Sequence, residues 1–535
     1  MKKNVLALSI AAMIGGLGLA GGASADVIPG ATKMTPSNAS KFSVSEGGVG
    51  HILLVPYFTA QDGNMSVIHI TNTDQTNGKV VKVRFRGAAN SDDILDFTLL
   101  LSPGDVWTGA VTAGADGVAQ LATADKSCTY PAIPSGGVSF VTSRLTAANM
   151  DVASNTREGY IEILNTADIP GPSVTGTATA LYTATKHVNG VPPCTQSVLD
   201  ANFLNNNYTT ESAAAAAGFD TPSGGLAGDW YIINVPKTTT FSGVTTTVKA
   251  TDNNGTSANA NFVVFPQSAA AVNDGSNTTL AVNYTADPLM ADAVQGVAPA
   301  TTFAAVTPAI RAGFYDLPDL STPYVVAPGT IAIGDTNSVP APVDQAAALT
   351  NAIAVTSIYN QYAVEPGISA QTDWVFSMPT RRYEVAVNYS GNQRVFSPAP
   401  SSLSVARFTS SNTFMSNVVP YEVCVNADGQ SFFDREETGK TNSAVFSPSQ
   451  LQSYSFCGET SVLSFGTGKV LGAQVAASSV TPGFLNGWGI MNTQNGPGKQ
   501  GLPIIGASFI KLVNGAAQPG VSGTYGISFP HRYTK

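Results

Sequence analysis

The chain has 535 residues, of which 11% are charged, and its formal net charge is −9. Ordinary domains carry about 25% charged residues, and here Ser, Thr, Asn, Gln, Ala and Gly fill the deficit. Phosphate binding depends on cationic surface, so this acidic balance argues against a nucleic-acid partner. A chain of this length can bury large cores and form more than one domain.

The first 25 residues have the features of a secretory signal peptide. Lys2 and Lys3 precede an apolar run that begins at Val5, and small residues at 23–25 offer a cleavage site after Ala25. Removing Lys2 and Lys3 with this segment changes the net charge from −9 to −11. No later segment is long and apolar enough to span a bilayer as a helix. The pattern predicts an exported protein that no transmembrane helix anchors.

Residues 26–48 are polar and lack periodicity, which predicts an N-terminal arm. A β-sandwich domain is then predicted over 49–265, because alternating apolar and polar residues are separated by turn-forming sequences. Its predicted strands are 50–58, 65–73, 79–87, 94–101, 106–111, 138–145, 159–166, 178–186, 228–235 and 238–251. A short helix is predicted at 196–204, followed by an Ala-rich stretch at 213–218.

Residues 266–370 are rich in Ala, Pro, Asn and Thr, which predicts an inserted or bridging irregular region with helical pieces near 287–294 and 343–353. Strand patterns return in a C-terminal β-rich domain over 371–535. Its predicted strands are 373–379, 383–389, 418–425, 462–475 and 523–529. The predicted fold class is all-β, with antiparallel β-sandwich domains, a few short helices and long loops.

The strand at 79–87, KVVKVRFRG, carries an unusual amount of charge for this chain. Val81, Val83 and Phe85 alternate with Lys82, Arg84 and Arg86. Successive side chains of a strand point to opposite faces, so one face is apolar and the other is a cationic strip formed by Lys82, Arg84 and Arg86. The strip is predicted either to face water, paired with Asp92, Asp93 or Asp96 of the next strand, or to contact an acidic patch of another copy.

The four cysteines belong to no CxxC motif and lie near no histidine in sequence, which argues against zinc or redox chemistry. In an oxidising compartment, pairs that are nearest in sequence most often share a domain. The predicted disulfides are therefore Cys128–Cys194 and Cys424–Cys457. Four buried thiols are the alternative.

The sequence predicts no catalytic residues. It contains no GxSxG motif, and FGTGKV at 465–470 lacks the first glycine and the final Ser or Thr of a phosphate loop. The carboxylates at 92–96 and 434–437 are typical of solvated loops or salt bridges. Calcium is a possible ligand, with candidate loops at Asp62, Asp252 and Asp274, although each sequence is also typical of a simple turn.

Six motifs occur in order along the chain: LLVPYFTAQDGNMSVIHITNTD (53–74), KVVKVRFRGAANSDDILDFTLLLSPGDVWTG (79–109), REGYIEI (157–163), TDWVFSMPTRR (372–382), FFDREE (432–437) and GLPIIG (501–506). Together they resemble the cell-surface, surface-layer-like proteins of Gram-negative proteobacteria. The resemblance spans most of the chain after the signal and is thin between about 170 and 370.

The resemblance implies an exported structural protein of the outer cell envelope that assembles with copies of itself into a surface layer or sheath, and it implies no catalysis. Two alternatives stay open at this stage. One is an exported adhesion module that binds carbohydrate, for which an aromatic platform would be the mark; the four tryptophans lie in strand patterns that favour core packing instead. The other is an outer-membrane barrel, which needs alternating strands all the way round.

Overall fold

The computed structural model describes residues 34–204, 211–260, 342–389, 407–436, 454–475, 477–494 and 500–535, together with 262, 267, 269–273, 278–282, 284, 392–396 and 439–441. The predicted signal peptide, the candidate calcium ligand Asp274 and the helical piece near 287–294 lie outside the described residues. The described residues are mostly β, in several antiparallel sheets with a few short helices, so the predicted all-β class is confirmed.

Two large sheets form from the first half of the chain. The seven-stranded sheet has the order β1-β13-β2-β10-β4-β5-β8, and the six-stranded sheet has the order β12-β11-β3-β6-β7-β9. Their strands are β1 (Lys41–Val44), β2 (Ile52–Thr59), β3 (Asn64–Asn72), β4 (Gly78–Gly87), β5 (Asp93–Leu101), β6 (Val106–Ala113), β7 (Ala119–Ala122), β8 (Cys128–Tyr130), β9 (Val138–Ser139), β10 (Glu158–Ile169), β11 (Leu226–Asn234), β12 (Thr239–Val244) and β13 (Thr246–Thr251).

Short helices lie in the connections of this first half. They are α1 (Val152–Thr156), α2 (Pro172–Thr175), α3 (Ala180–Thr185), α4 (Gln196–Phe203) and α5 (Glu211–Ala217), and a 3-10 turn spans Gln61–Gly63. A two-stranded piece follows, formed by β14 (Ala269–Asn273) and β15 (Thr278–Val282).

The second half forms two five-stranded sheets, with the orders β23-β22-β27-β16-β30 and β26-β25-β17-β28-β29, and two smaller sheets. The helical elements are α6 (Pro342–Ile353) and 3-10 turns at Pro366–Ile368 and Arg381–Tyr383. The strands are β16 (Ser357–Ala363), β17 (Gln371–Ser377), β18 (Val385–Asn388), β19 (Gln393–Phe396), β20 (Thr413–Met415), β21 (Val423–Asn426), β22 (Gly429–Phe433), β23 (Gly439–Thr441), β24 (Ser455–Cys457), β25 (Thr460–Phe465), β26 (Ala477–Val480), β27 (Asn486–Asn492), β28 (Ile505–Gln518), β29 (Val521–Pro530) and β30 (Arg532–Thr534).

The apolar faces of these sheets form the cores. Val83 and Phe97 of the seven-stranded sheet share one core with Trp107 of the six-stranded sheet, and Phe509 of β28 belongs to the same core. A second core lies within the later part of the chain and contains Trp374. The β-rich segments before and after the bridging region therefore pack on each other, and the predicted domain boundaries stay predictions.

Two predicted strands in the first half are wrong. Residues 178–186 contain helix α3, whose N-cap is Thr179; its side chain accepts a hydrogen bond from the backbone N–H of Tyr182. Leu181 and Ala184 are buried on one face of this helix, a spacing of three residues that suits a helix better than a strand. Within 138–145, β9 covers only Val138–Ser139. None of the described helices is long and apolar enough to cross a membrane.

Candidate functional site

The structure buries the cationic strip, so the prediction that these side chains face water or another copy is wrong. Lys82, Arg84 and Arg86 have almost no solvent-accessible surface. The predicted pairing with the next strand is confirmed for Lys82 and Arg84, because Lys82 Nζ pairs with Asp96 and Arg84 Nη2 lies 3.7 Å from Asp93 Oδ2. A strip that is covered within the chain cannot be a subunit contact.

Residues from distant parts of the sequence cover this face of the seven-stranded sheet. Lys82 Nζ donates to Gln267 Oε1 over 2.5 Å. Glu162 of β10 lies in register with Arg84, and its two oxygens contact Arg86 Nε at 3.4 Å and Arg382 Nη2 at 2.7 Å. The alternation in 79–87 indicates which side chains share a face, but it contains no information about what packs over that face.

Arg381 extends the buried charge network into the second half of the chain. Its Nε lies 3.3 Å from Glu459 Oε1, and its Nη1 donates to the carbonyl of Val423 at 2.8 Å. Its Nη2 donates to Asn90 Oδ1 at 3.2 Å, on the loop between β4 and β5. This one guanidinium therefore joins the seven-stranded sheet to β21 and to the turn before β25.

Burial raises the pKa of the carboxylates in this network, and the neighbouring cations offset that rise to different extents. Burial raises the pKa of Asp96 to about 7 and lowers the pKa of Lys82, while the ion pair between them opposes both shifts. Burial also raises the pKa of Asp93, but Arg86 and Arg84 outweigh it and hold that pKa at about 2. Burial raises the pKa of Glu422 to about 8, and Arg381 only partly offsets the rise. These buried groups can hold sheets together, but they present no acid or base to a substrate.

A serine, a histidine and an aspartate meet at the turn after β5. Ser102 Oγ lies 2.9 Å from His187 Nδ1, and Asp105 Oδ2 lies 3.3 Å from the same nitrogen. In a catalytic triad the serine and the carboxylate contact opposite nitrogens of the imidazole: one nitrogen takes the proton of the serine, and the carboxylate orients the ring through the other. Here both contact Nδ1, an arrangement that ties a loop to a turn and does not activate the serine.

Two of the other histidines are buried and neutral. Burial lowers the pKa of His51 to about 3 and that of His531 to about 4. His51 Nδ1 accepts from the backbone N–H of Ala250 at 3.2 Å, and His531 Nε2 donates to the carbonyl of Val375 at 2.8 Å. Both rings fix neighbouring backbone and are structural.

The two candidate calcium loops within the described residues are closed by contacts of their own. Asp62 pairs with Lys237. Asp252 Oδ1 accepts from the backbone N–H groups of Asn254 at 2.8 Å and Thr256 at 2.9 Å, as in an ordinary Asp turn. Over the part of the chain that the structure describes, no three His, Cys, Asp or Glu side chains are grouped to hold a metal ion.

Both predicted disulfides are present. Cys128–Cys194 links β8 to the loop before α4, and Cys424–Cys457 joins β21 to β24, where the two residues are paired in register. Each bond closes a loop within its own half of the chain.

Three of the four tryptophans are buried as predicted, and Trp488 is not. Its side chain is 40% exposed on the outer face of the five-stranded sheet that contains β16, β22 and β27. Its ring stacks on Phe433 with centroids 4.4 Å apart, and the ring of Tyr359 lies 6.5 Å away on the other side. Gln361 is the residue of β16 opposite Trp488, and Gly439 of β23 is opposite Phe433. The exposed ring of Trp488 and the half-buried rings of Phe433 and Tyr359 form one surface beside Gln361, which we call the exposed aromatic face.

The C-terminal hairpin forms a second exposed apolar surface. β17 pairs with β28 only as far as Lys511, whereas β28 and β29 continue to pair with each other beyond that point. We refer to residues 512–525 as the C-terminal ribbon. Val521 is 52% exposed and Tyr525 is 53% exposed, and Ile527 and Phe529 continue the exposed apolar residues along β29.

Sequence reasoning missed the Arg381–Arg382 pair and the C-terminal ribbon. Two adjacent arginines end the strongly apolar segment DWVFSMPTRR, and other predicted strands contain several carboxylates. Arginines in such an apolar segment indicate buried ion pairs, because a buried charge needs a partner of opposite sign. The C-terminal ribbon could also have been noticed in the sequence, because residues 512–525 form an exposed hairpin and yet contain no charged side chain.

Comparisons of this chain with protein-family models, with curated proteins and with solved structures found no match.

Proposed function

We propose that this chain is an exported structural protein that assembles with copies of itself into a layer or sheath at the Gram-negative cell surface, without catalysis. The resemblance of its six ordered motifs to surface-layer-like proteins is the first support. The low content of charged residues is the second support, because surfaces of hydroxyl and amide groups can pack against another copy without burying unpaired charges.

The observation that carries the proposal is a separation of charge along the chain. Residues 460–535 contain five cations, Lys469, Lys499, Lys511, Arg532 and Lys535, and no Asp or Glu. Because the whole chain has a net charge of −9, residues 1–459 have a net charge of −14. The last 76 residues are therefore cationic and the preceding part of the chain is acidic, and charges of opposite sign on one molecule favour contacts of acidic surface with cationic surface between copies.

Electron microscopy of the purified, processed protein tests this proposal. At low ionic strength we expect ordered layers or sheaths in negative stain, and we expect high salt to disperse them because salt screens surface charges. Calcium is expected to promote assembly by bridging carboxylates of the acidic body, so parallel samples contain calcium or a chelator. Isolated particles under all of these conditions would contradict the proposal.

A second candidate function is carbohydrate binding at the exposed aromatic face. Trp488 is exposed beside the half-buried rings of Phe433 and Tyr359, and Gln361, the residue opposite Trp488 on β16, is exposed as well. Aromatic rings next to amides suit sugars, whose C–H faces pack on the rings while their hydroxyls bond to the amide.

Affinity electrophoresis in gels that contain neutral polysaccharides tests this second candidate. We expect Trp488→Ala to abolish any retardation of the wild-type protein. Val418→Ala is the matched control, because Val418 is 89% exposed and lies outside the aromatic face. Equal migration of the wild type in all gels would remove the candidate.

A further inference from the structure

The amine of Lys82 lies inside the chain, in direct contact with a carboxyl group of the neighbouring strand. Lys82 of β4 is opposite Thr98 of β5, so Asp96 is its diagonal neighbour on the same face of the sheet. Lys82 Nζ contacts the Asp96 carboxyl and donates to Gln267 Oε1 over 2.5 Å. The side chains of Lys82 and Asp96 expose only 1% and 0% of their surface. A primary amine and a carboxyl group are therefore held together in a site that is closed to bulk solvent.

Burial disfavours the charged forms of both groups. It raises the pKa of Asp96 to about 7 and lowers the pKa of Lys82. The charge of Arg84, on the same face of β4, lowers the pKa of Lys82 further. The pair therefore has an accessible neutral form, in which an unprotonated amine contacts a carboxylic acid. Only this form can condense to an amide, because an ammonium group has no lone pair with which to attack.

Asp93 stabilises the proton on Asp96. Burial raises the pKa of Asp93, but Arg86 and Arg84 outweigh it and hold that pKa at about 2. A hydrogen bond between the two carboxyls adds to the rise in the pKa of Asp96 that burial causes, and it lowers the pKa of Asp93. These directions make Asp96 the donor and the Asp93 carboxylate the acceptor. The two aspartates thus share one proton, which resides on the residue that contacts Lys82.

We propose that an isopeptide bond forms between Lys82 and Asp96 inside the folded chain. Lys82 Nζ attacks Cγ of the protonated Asp96 carboxyl, the C–N bond forms, and the bond from Cγ to the hydroxyl oxygen breaks. Nζ loses one proton, which Asp93 can pass to the departing hydroxyl, so one water leaves and no further reactant is needed. The amide carries no charge, so it removes the cost of burying an ion pair. The closed site also keeps out the water that would hydrolyse it.

Lys79 offers a comparison within the same strand. Its side chain is buried like that of Lys82, and its Nζ lies 2.8 Å from Asp168 Oδ1 and 3.0 Å from Asp74 Oδ2. It also donates to Ser223 Oγ at 2.9 Å. Two carboxylates and a hydroxyl thus supply one acceptor for each of the three N–H groups of the ammonium. This arrangement stabilises the charged lysine, so no bond is expected between Lys79 and Asp168.

Peptide mapping of the purified, denatured wild type by mass spectrometry tests the proposal. Trypsin is expected to release residues 80–84 joined to residues 87–126, lighter than their sum by one water and not cleaved after Lys82. Ordinary cleavage after Lys79 is the internal control. Recovery of 80–82 and 87–126 as separate peptides of unaltered mass overturns the proposal. A branched peptide that has lost ammonia also overturns it, because that loss places the bond at Gln267.

Two variants test the roles of the groups in the folded chain, which circular dichroism verifies. Lys82→Arg keeps the positive charge, but a guanidinium does not attack a carboxyl group, so all peptides are expected to have ordinary masses. Asp93→Asn is expected to leave most molecules without the bond, because a carboxamide cannot take up and return the proton. Complete linkage in folded Asp93→Asn overturns the role given to Asp93. The wild-type map depends on neither variant folding and on no assembly of the chain, so it decides the proposal by itself.

Discussion

Arg382 donates from Nη2 to Glu162 Oε1 over 2.7 Å, although 220 positions separate the two residues in the chain. Both side chains are buried, and Arg382 also donates to the hydroxyls of Tyr160 and Tyr383. This contact fastens the turn after β17 to β10 in the middle of the seven-stranded sheet. It is the clearest example of how the two halves of the chain share one polar interior.

Replacing Arg382 by Gln is expected to lower the free energy of unfolding by about 3–5 kcal/mol, because the change leaves the buried Glu162 carboxylate without the nearer of its two cations. Urea titration followed by circular dichroism measures the loss. Lys237→Gln is the control: its pair with Asp62 is exposed, so a change of only about 0–1 kcal/mol is expected. Equal losses in the two variants would contradict a special role of the buried pair.

Glu422 makes stability depend on pH in a direction opposite to that of an ordinary salt bridge. Its pKa is raised from 4.5 to about 8 in the folded chain, mainly by burial. Between these values the folded state holds a proton that the unfolded state has released, so stability falls as the pH rises through this window.

Glu422→Gln is expected to remove this part of the fall, with a gain over the wild type on the order of a few kcal/mol above pH 8. Thermal midpoints measured between pH 5 and pH 9 check the prediction. Asp93 changes stability in the opposite sense, but its pKa of about 2 confines that effect to strongly acidic solution. Parallel pH profiles of the wild type and the variant would show that Glu422 does not titrate as described.

Each disulfide is expected to contribute about 2–4 kcal/mol by restricting the unfolded chain. Peptide mapping without reductant should recover Cys128 linked to Cys194 and Cys424 linked to Cys457. Replacing either pair by serines should lower the thermal midpoint of the oxidised protein, whereas the wild type in reductant should approach the midpoint of the chain that lacks both pairs. Free thiols at all four positions in native protein would refute the prediction.

Gly159 allows β10 to approach β4 closely, at a position where the register of β10 with β2 shifts. A Cβ atom at this position would lie 1.8 Å from the carbonyl oxygen of Arg86, which no side-chain rotation can relieve. Gly159→Ala is therefore expected to cost about 4 kcal/mol or more, or to prevent folding. Gly136→Ala is the control, because no atom lies within 4 Å of the added Cβ. Soluble yield and thermal midpoint distinguish the two variants.

The sequence predicted the fold well where local pattern decides the structure. The alternation in 79–87 and 94–101 places β4 and β5 within a residue of their observed bounds, and the helix at 196–204 is α4. It failed at α3, where a run of Ala, Thr and Tyr suits either structure and Thr179 caps a helix. Short apolar runs of this kind are ambiguous because both periods fit them.

The candidate sites were harder to predict, since exposure is a property of packing between distant segments. Arg84 and Trp488 both lie in strands, yet Arg84 is buried and Trp488 is 40% exposed. Neither result follows from the neighbouring residues. The sheet face that holds Arg84 is covered by residues near 267 and 382, which contact Lys82 and Glu162, and the face around Trp488 is the outer face of its sheet.

The long-range contacts of the buried network also determine when the chain can fold. Three of its hydrogen bonds join residues that are far apart in the chain. Arg382 donates to Glu162 across 220 positions. The hydroxyl of Tyr389 donates to Asp92 across 297 positions, and that of Ser377 donates to the carbonyl of Pro56 across 321 positions. Such a chain has a high contact order, and high contact order slows folding. During synthesis the cations of β4 are made long before Arg381 and Glu459 complete the network around them. A chain that stops short of residue 381 lacks the guanidinium groups that contact Glu162 and Asn90, so the seven-stranded sheet of such a chain misses its polar contacts with the second half.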